Sequence, residues 1–252
     1  MTTDTEILKK RFIELGKKSY SADIFTFTDF LGLAEQSAFS EIKKELRGVS
    51  YKAFGGAVGA ERVIIRFGSE DDLGYSLPFP ISLIKVTPLS QKFADRLTHR
   101  DFLGAILNLG IERHTLGDIV IKDNVGYVFA LDSIANYIAE SLTKIKRTDV
   151  CCQITDSLPE GELYRTEARM VQISGERLDA VIAKLFSLSR DDAQMLFKKR
   201  LVFVGGKEID SPSYTPKENE KISVRGHGRF IYLGTRSLSK KGKLNVAVEV
   251  YV

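Results

Sequence analysis

The residues best suited to chemistry lie between Glu176 and Phe230, and the chemistry they suit is anion binding. Arg190, Lys198, Lys199, Arg200, Lys207, Arg225 and Arg229 place seven cations at helix starts, turns and strand ends. Like charges crowded this way repel one another unless an anionic partner joins them, and a phosphate backbone supplies one. A solvated charged face is the ordinary alternative, but here one ligand could reach several charges at once. Arg190 stands in the first turn of an expected helix, where unpaired N–H groups already favour an anion. Its planar fork can grip two phosphate oxygens in a way that Lys cannot. Arg177, Ser189, Gln194 and His227 complete the candidate set.

The elements that must position these groups are readable from spacing. Leu178, Val181, Ile182, Leu185 and Phe186 recur as in a helix with one buried face. Ser189 is suited to cap a second helix. On that helix Ala193, Leu196 and Phe197 make the apolar stripe, and Arg190, Gln194 and Lys198 a polar stripe beside it. A β-rich run, Leu201 to Val204, a Gly205-Gly206 turn and a strand from Lys221 to Val224 follow. Two short helices on a small sheet are expected. After Phe230, Ile231–Gly234 and Leu244–Val252 read as two strands joined by the basic loop Arg236–Lys243, an added hairpin.

As a linked series, the R-L-D start, S-R-x-x-A helix, V-x-V-x-G-K strand-turn and I-x-V-R-G-x-G-R-F end resemble the αL RNA-binding module named after ribosomal protein S-four. The family more often has Asn where Gly205 stands. The Arg177-Leu178-Asp179 triplet also resembles the one that carries the nucleophilic Asp of pseudouridine synthases. Here it opens the module's own first helix, so Asp179 is expected as a first-turn charge favoured by the helix dipole.

Composition bounds the rest. The 252 residues are 43% apolar with a formal charge of +4, values of a globular chain. The charge is uneven: residues 169–252 hold 16 Lys and Arg against 9 Asp and Glu, and the remainder 21 against 24. Cys151 and Cys152 are adjacent in a strand-like run, so they should point to opposite faces and not bridge. The histidines are scattered and fit no zinc spacing. The N-terminus lacks an apolar signal region and no run would span a bilayer. The expectation is a cytoplasmic protein, acting as a monomer, without metal, cofactor, membrane or small-molecule substrate.

Three small domains of an α+β protein are expected: an N-terminal α/β unit over residues 1–76, a middle domain over 77–160, and the RNA-binding module with its hairpin over 169–252. In the first, helices are expected over Asp4–Lys18 and Ala34–Leu46. Gly55-Gly56-x-x-Gly59 precedes the strand-like Val63-Ile64-Ile65 rather than a helix, so it reads as a hairpin or irregular turn and not a phosphate loop. Gly68–Pro80 is the candidate linker. The middle domain reads as strand Ile81–Val86, helix Phe93–Leu109, strands Ile119–Lys122 and Tyr127–Ala130 about an Asp123-Asn124 turn, helix Ser133–Ile145 and strand Val150–Ile154. That is the βαββαβ order of a ferredoxin-like, RRM-like domain. Its central strands fill the usual base-stacking aromatic pattern poorly, which favours a packing role. His99-Arg100-Asp101 resembles a protein-kinase catalytic loop, but the metal-ligand spacing fails; Thr98 and Asp101 suit the start of a helix instead.

Phe54–Arg62 (FGG-x-x-x-AER), Leu97–Arg113 (LTHRDFLGAILNLGI-x-R), Gly117–Ile119 and the terminal module together resemble the YlmH family over nearly the full chain. The resemblance implies a bacterial RNA-binding protein, often encoded beside cell-division genes, without established catalysis and acting at the large ribosomal subunit. Its RNA would be ribosomal or transfer RNA. The alternative is an RNA-modifying enzyme, pseudouridine synthase-like or a methyltransferase, targeted by the same module. Among the family-motif acids, Glu61, Asp101 and Asp118 each have a structural explanation.

Overall fold

The computed structural model describes residues 2–159 and 163–251. The expected domain end at residue 160 and strand end at Val252 fall outside them. The chain forms two compact units, residues 1–163 and 164–252.

In the first unit, helix α1 (Thr2–Ala22) buries Phe12 and Leu15 against α2 (Leu33–Ile42), which a 3-10 turn over Lys43–Leu46 extends. Both pack on a sheet ordered β1-β3-β2, made of β1 (Thr26–Phe27), β2 (Tyr51–Phe54) and β3 (Ile64–Phe67). The Gly55–Gly59 segment is the loop of the antiparallel β2–β3 hairpin, as its flanks suggested. The tract read as a linker is packed instead. It holds the one-turn helix α3 (Glu70–Leu73), and Leu77 O accepts from Arg66 Nη1 at 2.7 Å. The Arg66 guanidinium lies between the rings of Phe25 and Phe79.

The rest of this unit has strands β4 (Ile81–Pro88), β5 (Leu116–Lys122), β6 (Val125–Leu131), β7 (Lys144–Ile145) and β8 (Thr148–Thr155), with helices α4 (His99–Leu107) and α5 (Asp132–Ser141). The sheet order β5-β6-β4-β8-β7 is the ferredoxin-like arrangement with one short edge strand added. Two helix boundaries differ from expectation. The helix expected from Phe93 begins only at His99. Thr98 N donates to Asp101 Oδ2 at 2.8 Å, and the chain before it is held by side chains, Asp95 N donating to Thr148 Oγ1 and Leu97 N to Asn124 Oδ1. The helix expected to reach Ile145 stops at Ser141, because Lys144 and Ile145 pair with Asp149 and Thr148. A positive-φ turn at Lys146 (53°) reverses the chain there.

The second unit contains β9 (Thr166–Ile173), α6 (Leu178–Leu185), α7 (Arg190–Lys198), β10 (Val202–Val204), β11 (Lys207–Glu208), β12 (Glu220–Val224), β13 (Gly228–Leu238) and β14 (Leu244–Tyr251). Its sheet is ordered β11-β10-β12-β13-β14-β9. Both helices pack on one face, where Leu178, Val181, Ile182, Ala193 and Phe197 meet Val202, Val224, Phe230 and Val248. The added hairpin is longer than expected: Arg236 to Leu238 belong to β13, and the tip shrinks to Ser239–Lys243. Strand β9 was not anticipated. Its sequence TEARMVQI sends only Val171 and Ile173 into the core, too few to mark a strand. Its eight residues pair with β14 along their whole length.

Candidate nucleic-acid interface

Ser189 starts α7 as its spacing required: its hydroxyl accepts from Asp192 N at 3.0 Å and donates to Asp192 Oδ2 at 2.6 Å. The apolar stripe of α7 then faces the core and turns Arg190 and Gln194 towards the first turn of α6. There they meet Asp179. Arg177 Nε and Nη2 donate to Asp179 Oδ1 and Oδ2 at 3.0 and 2.9 Å, a bidentate fork. Gln194 Nε2 donates to Oδ2 at 3.3 Å, and Arg190 Nε stands 3.7 Å from the same oxygen.

Asp179 is fully buried, while Arg177 and Arg190 keep 41% and 57% of their side chains exposed. Burial pushes the Asp179 pKa up, but the hydrogen bonds from Arg177 and Gln194 and the charges of both arginines outweigh it, leaving the carboxyl below its ordinary range. A buried anion thus holds the Arg177 guanidinium by one edge, pairs more loosely with Arg190, and leaves the rest of each to solvent. Sequence reading placed Asp179 in the first turn, where it is. It missed that Asp179 is the hub, because the link to Gln194 spans 15 residues and leaves no local pattern.

The other expected residues do not all share this face. Lys198 and Lys199 sit at the C-terminal end of α7. Arg200 follows in the left-handed region (φ 57°), with its Nε 3.4 Å from Glu208 Oε1. Lys207 is exposed beyond the Gly205-Gly206 turn. Arg225 and Arg229 decorate the opposite, helix-free face. Phe203, Ser223 and Arg229 are partners in one row across the sheet, alternate to the core residues. Arg225 lies 5.0 Å from the Phe203 ring centre, and Arg229 4.6 Å and 5.3 Å from those of Tyr251 and Tyr164. His227, in the β12–β13 turn, packs beside Phe186 at 5.7 Å between ring centres.

In the first unit Asp101 and Asp118, two of the acids singled out by motif, serve the fold. Asp101 accepts from Thr98 and lies 2.8 Å from Lys146 Nζ, and these partners pull its pKa down to about 2. Asp118 accepts from Glu61 N at 2.8 Å and Arg62 N at 3.0 Å. Arg62 in turn donates to the carbonyls of Leu116 and Phe30, both at 2.8 Å, so the motifs at 54–62 and 117–119 close on each other. The β2–β3 loop also covers Phe129, one of the two outward aromatics of β6. A Cβ on Gly56 would stand 2.3 Å from the Phe129 ring, and Phe129 is 2% exposed. Among the described residues no group of His, Cys, Asp and Glu could hold a metal, and no helix is long and apolar enough to cross a membrane.

Residues 76–157 match the family model described as "Putative RNA-binding domain in YlmH", and residues 176–222 the S4 domain. The "Ribosome-associated protein quality control protein P2" of Bacillus subtilis (strain 168) is 30% identical over 229 residues, 88% of this chain and 86% of its own. The chain belongs to the YlmH family. Its terminal module also matches the "Small ribosomal subunit protein uS4" of Thermoanaerobacter sp. (strain X514), 38% identical over 80 residues, 28% of this chain and 39% of that protein. A solved structure of a family member, "Cell division protein ylmH from Streptococcus pneumoniae", is 23% identical with a TM-score of 0.48, covering 62% of this chain and 93% of that one.

Proposed function

We propose that the protein is a non-enzymatic factor that binds structured ribosomal or transfer RNA through its S4 module and acts at the large ribosomal subunit as a cytoplasmic monomer. The observation that carries the reading is the pair of arginines beside the buried Asp179, Arg177 at the start of α6 and Arg190 at the start of α7. The Arg177 fork, fixed by a buried carboxylate, gives up little entropy on meeting phosphate oxygens, and Arg190 stands 3.7 Å from the same carboxylate with most of its guanidinium open to the same anion. The Bacillus subtilis relative, ribosome-associated by name, supports the ribosome as the place of action. The surplus of cations in residues 169–252 supports a polyanionic partner. Asp101, Asp118 and Asp179 are all engaged in holding backbone or arginine, so this reading gives them no chemistry.

The test is a salt titration of binding to purified large subunits, with melting curves alongside. Arg190→Ala should weaken binding by about 1–3 kcal/mol, the range of a charged hydrogen bond, and Lys198→Ala by less. Each lost phosphate contact should flatten the salt slope by about one unit. An Arg190→Ala protein that stays folded and binds like wild type at every salt concentration would place the RNA face elsewhere.

A further inference from the structure

Beside the two arginines the second unit contains a cavity of about 640 Å³. Its apolar floor is Ile173 from the end of β9, Ala180 and Ala183 on α6, and Leu188 between the helices. Alanines there leave the volume that larger side chains would fill. Four cations ring it, Arg177, Lys184, Arg190 and the hairpin-tip Lys243, and no Asp or Glu is among its lining residues. Three acids adjoin lining residues in the chain: Asp179 is buried and neutralised by Arg177, Glu176 accepts from the hydroxyls of Tyr232 and Thr235, and Asp191 follows Arg190 in the first turn of α7. Polar groups flank the floor: Gln172, whose amide nitrogen donates to Asn245 Oδ1 at 3.1 Å, and the hydroxyls of Ser174 and Ser187.

The volume lies within the roughly 300–1,000 Å³ of small-ligand pockets. The lining narrows the chemistry. The cations require an anion, but a bare phosphate would leave the apolar floor unused. A flat, weakly polar ring attached to a phosphate uses both. Bases drawn out of a stack rest on apolar side chains or arginine planes and are read along their edges by amide and hydroxyl groups. Ile173, Gln172 and Lys243 lie outside residues 176–222 that match the S4 domain. Strand β9 and the tip of the β13–β14 hairpin therefore complete the pocket.

We propose that this cavity takes a single unpaired nucleotide of the bound RNA, its base on the Ile173–Ala180–Ala183 floor and its phosphate among Arg177, Lys184, Arg190 and Lys243. The proposal rests on the RNA-binding reading above and deepens it. The four nucleoside 5′-monophosphates, and inorganic phosphate as control, would be titrated into the full-length ¹⁵N-labelled chain. At least one mononucleotide should shift the amides of Ser174, Gly175, Ala183 and Ser187 with millimolar affinity, and at matched concentration phosphate should not reproduce the shifts. Ala183→Leu keeps a good helix former while filling the floor, and should weaken that binding at least ten-fold. Lys243→Ala, at an exposed tip, should weaken it several-fold without touching the fold. Absence of shifts at those amides, equal shifts with phosphate alone, or full binding by a folded Ala183→Leu would each overturn the proposal. Ala183→Leu should also bind large subunits more weakly. Unchanged subunit binding by that variant would remove the pocket from RNA recognition and leave the wider reading standing, whereas unchanged binding by Arg190→Ala would remove the reading itself.

Discussion

Asp179 shows how a single residue couples stability to the binding face. Its carboxylate is buried and accepts from Arg177 twice and from Gln194 once. Asp179→Asn would keep the shape but lose the charge and mismatch these donors, so the second unit should lose about 1–3 kcal/mol of stability at neutral pH. The dependence on pH has a definite sign. The folded-state pKa lies below the ordinary 3.8, so the unfolded chain binds the proton first as pH falls. The wild-type advantage should be complete above the ordinary carboxylate range and shrink as pH falls through the folded value. Urea unfolding of both proteins at neutral pH and near about pH 3 tests this. A difference that stays constant down to the lower pH would mean that the ionised carboxylate contributes nothing.

At the scale of elements, β8 carries two cysteines with opposite fates. Adjacent strand residues face opposite ways: Cys151 is exposed, while Cys152 packs against the ferredoxin-like core. The Cys152 thiol lies 3.2 Å from Leu142 O, and burial pushes its pKa up to about 12. Iodoacetamide reacts with the thiolate, so the folded protein should take one adduct, on Cys151, and a second only in denaturant. Equal labelling of Cys152 in the folded chain would contradict the register of β8. The same sheet explains Gly126. A Cβ there would stand 2.2 Å from the Phe102 ring, so β6 gives up a side chain where α4 presses on it.

At the scale of the whole molecule, charge and RNA-binding equipment are divided between the two units. Residues 1–163 carry 20 basic and 23 acidic side chains and residues 164–252 carry 17 and 10. Each unit has its own buried core, so each should fold as a fragment. The 164–252 fragment should keep most of the affinity for structured ribosomal RNA at moderate salt. The 1–163 fragment should bind weakly, because of the two outward aromatics on β6 Phe129 is covered by the Gly55–Gly59 loop and Tyr127 is only 8% exposed, leaving little ring face for bases. Submicromolar binding by residues 1–163 that survives rising salt would contradict this division.

Local patterns determined much of this protein. The i, i+3, i+4 apolar spacing set α6 and α7, Ser189 set the start of α7, and the double glycine, both residues at positive φ (55° and 79°), set the turn after β10. These features rest on backbone sterics and on neighbours within a few residues, which sequence displays directly. Tertiary structure decided the rest. It brought Arg177, Arg190 and Gln194 onto one buried carboxylate and sent Arg225 and Arg229 to the other face of the sheet, since strand register alternates sides and sequence alone does not number it. It added β9, which has little apolar signal because it gains its place by pairing with β14. It also covered Phe129 of the ferredoxin-like sheet with a glycine loop. Such contacts join residues far apart in the chain, and their cost and gain exist only once the chain has closed on itself.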